Sequence, residues 1–350
     1  MLGDTHFGAR GDNDILAAYM LRYYDEYFFP LLNELRIKTV VQAGDLLDRR
    51  KYTNHETLFY MRTKFLEILE KHNIKCYVLI GNHDIYYRNS NKISGIEEFI
   101  RGYDNIIPIL DNTTIDIGGT SIDLIPWLND ENIDLSTKFI EESNSKYCIG
   151  HFEFSGFKFA KDGFVNDKGL GTKMFRKYDH VYSGHYHTRS SKGNVTYIGT
   201  PYELTWSDYD DPKSVTILDT ETGDTELVIN PLTLHNKIEY NDSVDYKQSD
   251  LEHIKGMIVR VIINSTVNKK KYEKFTKLMY DMKPAHVEII DNSQVIKYDN
   301  SETVVVNRNT EELLNDGVEN IASVNDMIDQ DKLRKLSNDI YQRALSLGTY

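Results

Sequence analysis

At 350 residues, with 40% hydrophobic and 27% charged side chains, the chain is long enough for one large α/β domain with smaller appendages, and its composition is that of an ordinary soluble globular protein. No stretch approaches the roughly 18 uncharged apolar residues of a membrane span, and the opening MLGDTHFGARGD lacks the basic and apolar regions of an export signal. A net charge of −13 excludes a simple DNA binder with a basic footprint, so any nucleic-acid affinity must come from local basic patches, divalent metals or a partner.

Up to about residue 235, short apolar runs alternate with longer amphipathic stretches, the pattern of an α/β fold. A helix is predicted over 14–35, rich in Leu, Tyr and Phe, and a second over 54–72 with Thr53 or Asn54 as its N-cap. Strands are predicted at 38–43, 75–80, 120–126, 146–151, 179–185, 194–200, 213–219 and 225–230, with Asp-Pro and Thr-Gly turn signals between runs. Cys76 and Cys148 each sit inside an apolar run and read as buried, reduced thiols, which suits a cytoplasmic protein. Beyond residue 235 the texture changes. GMIVRVIINS, KKYEKFTKLMYDM and AHVEIIDN read as strand, helix and strand, a small β-α-β cap over 236–298. A polar linker is expected at 299–310 and helices at 311–350, a region where acidic residues outnumber basic ones.

Five short motifs carry groups able to bind metal: Asp4-Thr5-His6, Gly44-Asp45-Leu46-Leu47-Asp48, Gly81-Asn82-His83-Asp84, Gly150-His151 and Gly184-His185-Tyr186-His187. The last four directly follow apolar runs, so each is placed where a strand meets its loop, the usual ligand crevice of an open α/β sheet. Residues two apart on extended backbone share a face, so Asp4 with His6, and His185 with His187, can converge on one ion. Carboxylate, amide oxygen and imidazole without thiolate suit Mn²⁺, Fe²⁺ or Zn²⁺ rather than a structural zinc site. Taken singly each motif is more often a pair of solvated loop residues or a core histidine; five in series at strand ends are not. His55, His72, His180, His235, His253 and His286 lack such context and read as surface or core residues.

The series resembles the calcineurin-like metallophosphoesterase superfamily and, within it, the nuclease subunit of SbcCD-type exonucleases, the meiotic-recombination-eleven family, in the form encoded by T-even-like phages. Leu124-Ile125-Pro126-Trp127 and Tyr197-Ile198-Gly199-Thr200-Pro201-Tyr202-Glu203-Leu204-Thr205-Trp206 add to the likeness, which covers about residues 1–235. The resemblance implies a two-sheet sandwich flanked by helices, with a small α+β cap and C-terminal helices. It implies two divalent ions, most often Mn²⁺: one on Asp4, His6, Asp45 and His187, the other on Asp45, Asn82, His151 and His185, bridged by Asp45. His83 would approach the scissile phosphate as charge stabiliser or proton donor, with Asp84 orienting its ring. The implied chemistry is hydrolysis of DNA with loss of a 3′ oxygen, as a 3′ to 5′ exonuclease on duplexes and an endonuclease on single strands, in recombination and double-strand break repair. The implied setting is a homodimer bound to a coiled-coil ATPase of the Rad-fifty or SbcC type, in the host cytoplasm if phage-encoded. In that family an apolar strand precedes the Asp-x-His motif; here only Met1 and Leu2 precede Gly3, so a shortened first strand or an upstream start is expected.

On the substrate side, Tyr86, Tyr87 and Arg88 follow His83 closely enough to reach DNA. The segment FEFSGFKFAKDGF interleaves Phe152, Phe154, Phe157, Phe159 and Phe164 with Lys158 and Lys161, which reads equally as a base-stacking platform or as one aromatic core face. Lysines 269, 270, 271, 274 and 277 on the cap helix read first as a solvated face and second as a DNA contact. In the tail, Leu333, Leu336, Ile340, Ala344 and Leu347 form an apolar stripe, which either packs on the protein's own body or docks on the ATPase. Two other readings compete. Asp48-Arg49-Arg50 suggests a protein phosphatase or small-molecule phosphodiesterase of the same superfamily, and the fold alone would allow a non-catalytic scaffold.

Overall fold

The computed structural model describes residues 1–158, 161, 165–293 and 332–337. Two units divide the chain, Met1–Gln294 and Val295–Tyr350. Strand periodicity builds the first of them. Its first sheet pairs Thr39–Gln42, Lys75–Leu79 and Ile106–Ile109 in parallel. Alternate residues point to opposite faces: Val40, Cys76, Val78 and Ile106 enter a core with the helices, while Val41, Tyr77, Leu79 and Ile109 enter a core between two sheets. The second sheet runs in the order Ser190–Lys192, Val195–Tyr197, His180–Gly184, Tyr147–His151, Thr120–Ile125 and Thr113–Ile117, parallel in its centre and antiparallel at both edges. Leu124, Tyr147, Ile149 and Tyr182 meet the first sheet. Ile125, Cys148, Val181 and Val195 turn the other way, towards Ile140, Phe152, Phe154 and Phe175. The result is the expected α/β sandwich of two sheets flanked by helices.

The helical layer on the first sheet comes from 14–34 and 55–71, one residue short of the predicted ends in each case. Asn13 and Asn54 cap them, each side chain accepting a backbone N–H, from Leu16 at 3.0 Å and from Glu56 at 2.8 Å. Each helix contains one π turn, Tyr24–Phe28 and Arg62–Leu66. The wider turns shift the apolar face by a residue, and Tyr24 and Phe65 meet across them with ring centroids 5.2 Å apart.

The short N-terminal segment does join the sheet. Leu2 N donates to Val41 O at 2.9 Å and Leu2 O accepts from Ala43 N at 2.9 Å, and the Leu2 side chain is fully buried. A single parallel bridge thus fixes the backbone two residues before Asp4.

Residues 235–291 form a separate layer. His235–Tyr240, Ile258–Ile263 and His286–Asp291 pair in parallel, and helix Lys269–Asp281 covers them with Phe275 and Met279. The strand at 235–240 was not expected, because LHNKIEY carries too few apolar residues to stand out. Among the described residues no helix is long and apolar enough to cross a membrane. The expected linker and most of the C-terminal helices lie outside the described residues. Residues 332–337 are helical, with Leu333 half-buried and Leu336 exposed; Ile340 and Leu347 are not among those described.

Candidate metal centre

Parallel strands deliver their C-terminal loops to one edge, and the motifs converge there. Asp45 follows Thr39–Gln42, Asn82 follows Lys75–Leu79, His151 ends Tyr147–His151, and His185 and His187 follow His180–Gly184. Asp4, His6 and His187 bring ligand atoms within 4.8 Å of one another, and so do Asp45, His151 and His185. Asn82 Oδ1 joins the second group, 3.0 Å from His151 Nε2 and 2.9 Å from His185 Nδ1. Asp45 Oδ2 faces both groups, 3.4 Å from His151 Nε2 and 3.8 Å from His6 Nε2. In the first group His6 Nε2 lies 3.2 Å from His187 Nε2 and 3.9 Å from Asp4 Oδ2. Ligands held about 2.1 Å from one ion stand about 3.0–3.4 Å from each other, the spacing of the tighter pairs here. Imidazole nitrogens facing one another with carboxylates between them suit cations, and this oxygen-and-nitrogen set fits two divalent ions that share Asp45.

Backbone strain gathers at the same place. His6, Asp45 and His185 adopt φ of 45°, 53° and 89°, a left-handed conformation that side chains normally avoid. The surroundings hold them there. His6 N donates to Asp45 O at 3.0 Å, His185 N donates to Asp4 Oδ1 and Oδ2 at 3.0 Å, and Tyr202 Oη donates to Thr5 O at 2.7 Å. Two glycines make room: a Cβ on Gly44 would sit 2.3 Å from His151 Nδ1, and one on Gly81 would sit 2.1 Å from Asp45 Oδ1.

Burial lowers the histidines His6 and His185, the latter to about 3, which favours the neutral ring with one nitrogen open to a metal. Against burial, Asp45 and Asp4 push His151 up to about 9. Burial raises Asp4, whereas His151 and His83 overcome the same effect and hold Asp45 well below the usual carboxylate range.

His83 stands edge-on to His6 with ring centroids 5.0 Å apart. Its ring Nδ1 lies 2.5 Å from Asp48 O, and its main-chain N–H donates to Asp45 Oδ1 at 2.7 Å. Asp84 does not play the part expected of it. Its buried carboxylate accepts from the backbone N–H of Leu47 and Gly81 at 2.9 Å and of Leu46 at 3.3 Å, bracing the two ligand loops, while the Asp48 carbonyl orients His83. Burial and the nearby Asp45 push Asp84 up to about 7.

Around the site, Tyr86 and Tyr87 are exposed and meet edge to face at 4.8 Å, and Arg88 is exposed beside them. Lys51 Nζ lies 5.6 Å over the Tyr86 ring. Arg49 is ion-paired with Asp12 and stacked 4.9 Å over Tyr52. Phe152, Phe154 and Phe157 are core residues rather than stacking platforms; Phe159 and Phe164 lie outside the described residues. Lys158 is exposed, and Lys161 pairs with Asp210 at 2.9 Å. On the cap helix, Lys274 pairs with Asp245 and Lys271 donates to Asp242 O. Sequence reasoning assigned no site role to the main chain of Asp48, to Trp127 or to Lys213. Trp127 packs against the imidazoles of His185 and His151 at 5.2 and 5.8 Å. Its place after an apolar run, like those of the ligands, was the available signal.

The model of the calcineurin-like phosphoesterase family matches residues 1–189. The chain belongs to that family. Over 350 residues, 98% of each chain, it is 33% identical to exonuclease subunit 1 of Enterobacteria phage T4. A solved archaeal phosphodiesterase covers 57% of this chain and 88% of its own at 14% identity, with a TM-score of 0.29.

Proposed function

We propose that this calcineurin-like phosphoesterase is a two-metal DNA nuclease. On this reading it cuts duplex DNA from 3′ to 5′ and single strands internally, as the nuclease subunit of a recombination and repair complex with a coiled-coil ATPase. The observation that carries the reading is the pair of ligand groups meeting at Asp45, in a chain alignable end to end with a phage exonuclease subunit.

Asp4, His6, Asp45 and His187 would hold one ion and Asp45, Asn82, His151 and His185 the other. Bound there, two divalent ions, Mn²⁺ by preference, neutralise phosphate charge and lower the pKa of a water, the nucleophile for phosphodiester hydrolysis. The chain's own groups do the rest. His83 donates its Nδ1–H to the Asp48 carbonyl, which leaves Nε2 as the atom that can give a proton to the departing 3′ oxygen. Asp84 keeps the Asp45 and Asn82 loops in register through three backbone N–H groups. Tyr86, Tyr87 and Arg88, exposed beside His83, offer ring faces and a cation to a nucleic-acid strand. A partner that grips DNA is consistent with the net charge of −13.

The test compares labelled duplex DNA, labelled single strands and para-nitrophenyl phosphate, each with Mn²⁺ and with chelator. Cleavage of both DNAs that chelator abolishes is the expected result. Hydrolysis of the small ester with both DNAs intact would overturn it in favour of a phosphatase.

A further inference from the structure

We propose that Lys213 is a positioning residue that sets the metal ligand His187 through its main-chain carbonyl, an inference that rests on the ligand assignment above. Metal-binding histidines normally have their second ring nitrogen held by a carboxylate or carbonyl. His151 follows that pattern, with Nδ1 2.8 Å from Ala43 O. His187 does not: among the described residues only its Nε2 has a partner, the facing His6 Nε2. Its backbone is gripped instead. The His187 carbonyl accepts from Lys213 Nζ at 2.9 Å and from Thr200 N at 3.1 Å.

Lys213 is built for this task at some expense to the fold. Its side chain is 3% exposed, and a buried ammonium needs all three of its N–H groups satisfied. Three acceptors meet it: Asp208 Oδ1 at 2.6 Å, Asp211 Oδ2 at 2.8 Å and the His187 carbonyl. The two carboxylates more than balance the charge, so the carbonyl is not needed to neutralise it. What the third bond does is tie the loop carrying His187 to a fixed post. That post is itself fixed, because Asp208 also accepts from Leu204 N at 3.0 Å and Thr205 N at 2.8 Å. No sequence motif marks this lysine, which sits 26 residues beyond the histidine it places.

The test titrates the metal-free, full-length protein with Mn²⁺ by calorimetry, alongside a thermal melt. Lys213→Met should weaken one class of Mn²⁺ site by about 10- to 100-fold and leave the other unchanged. Lys213→Arg, which keeps the charge and the donors, should restore most of the loss. If Lys213→Met gives no cooperative melt, the charge-balanced Lys213→Met/Asp208→Asn protein carries the test with the same expectation. Equal weakening of both classes, or no change in either, with His187→Ala weakening one, would overturn the role of Lys213 alone. No change in His187→Ala would overturn the ligand assignment and the role of Lys213 with it.

Discussion

The ring nitrogen Nδ1 of His83 points at the main-chain oxygen of Asp48, 2.5 Å away, and not at the carboxylate of its neighbour Asp84. The two adjacent residues therefore separate in function. His83→Ala should keep its metal content and its melt while cleavage falls by about 100-fold or more, as for a lost proton donor. Asp84→Ala leaves three buried N–H groups without an acceptor, each of which costs about 1–3 kcal/mol, so it should melt earlier and lose metal. Metal analysis and single-turnover rates on both variants check this. An Asp84→Ala protein with full metal and a rate loss like that of His83→Ala would return Asp84 to orienting the ring.

Gly44 has φ of 97°, and any side chain there strikes His151. Gly44→Ala should lose at least about 1–3 kcal/mol of stability from strain alone. It should also weaken the ion on Asp45, Asn82, His151 and His185 more than the ion on Asp4, His6, Asp45 and His187. Calorimetric Mn²⁺ titration of the variant reads both. Two unchanged sites would mean that the loop has room the structure does not show.

Most of the sandwich was legible because its central strands are apolar runs between turn residues, and the motifs of Asp45, Asn82, His151 and His185 each follow one. The edge strands Ile106–Ile109 and Thr113–Ile117, the hairpin Ile85–Tyr87 with Ser90–Ser94 and the strand at 235–240 were not predicted; of these, IYY, SNKIS and HNKIEY have little of either pattern. The metal motifs were readable from residue type and order, and Asp4, His6 and His187, like Asp45, His151 and His185, bring ligand atoms within 4.8 Å of one another. The division of labour between Asp48 and Asp84 was not readable, because a main-chain carbonyl acceptor leaves no mark in the sequence. Lys213 was hidden for the same reason.

Binding of ions to a folded-only site stabilises the fold. Mn²⁺ at 100 times its Kd should add about 2.7 kcal/mol per site to the metal-free protein, read as a rise in melting temperature. Activity should appear with Mn²⁺ and fade with Mg²⁺ alone, because imidazole-rich ligation suits Mn²⁺ while Mg²⁺ keeps oxygen ligands and water. Full cleavage in Mg²⁺ after removal of other metals would contradict the assignment.

The Arg260 guanidinium lies 3.9 Å over the Trp206 ring, and Trp206 in turn lies 4.7 Å from the His235 ring, where the sandwich passes into the cap. Arg260 is held by Glu288 at 2.8 Å. The cap has its own core of Tyr240, Val259, Val261, Phe275 and Met279, which does not include Trp206. Trp206→Ala should therefore leave the cap folded but loosen its seat, removing a contact worth up to about 2 kcal/mol. Calorimetry should then show two transitions in place of one, and proteolysis should cut near residue 235. One sharp transition at a lower temperature would show that cap and sandwich melt as a single unit through other contacts.

The acidic tail provides the last prediction. Among the described residues, the buried apolar clusters are built from positions before residue 294. An amphipathic stripe is suited to a groove on another protein, and the ATPase partner proposed above has DNA grip to offer a chain of net charge −13. Truncation after residue 310 should leave the melting temperature and Mn²⁺-dependent cleavage of short single strands close to those of the full chain. It should abolish co-purification with the ATPase and any ATP-stimulated degradation of duplex DNA. Leu333→Asp with Leu347→Asp in the full-length protein should do the same, since a charge placed in an apolar contact is expelled from it. If the truncated protein aggregates or melts early, the stripe packs on the protein's own body and the docking reading fails.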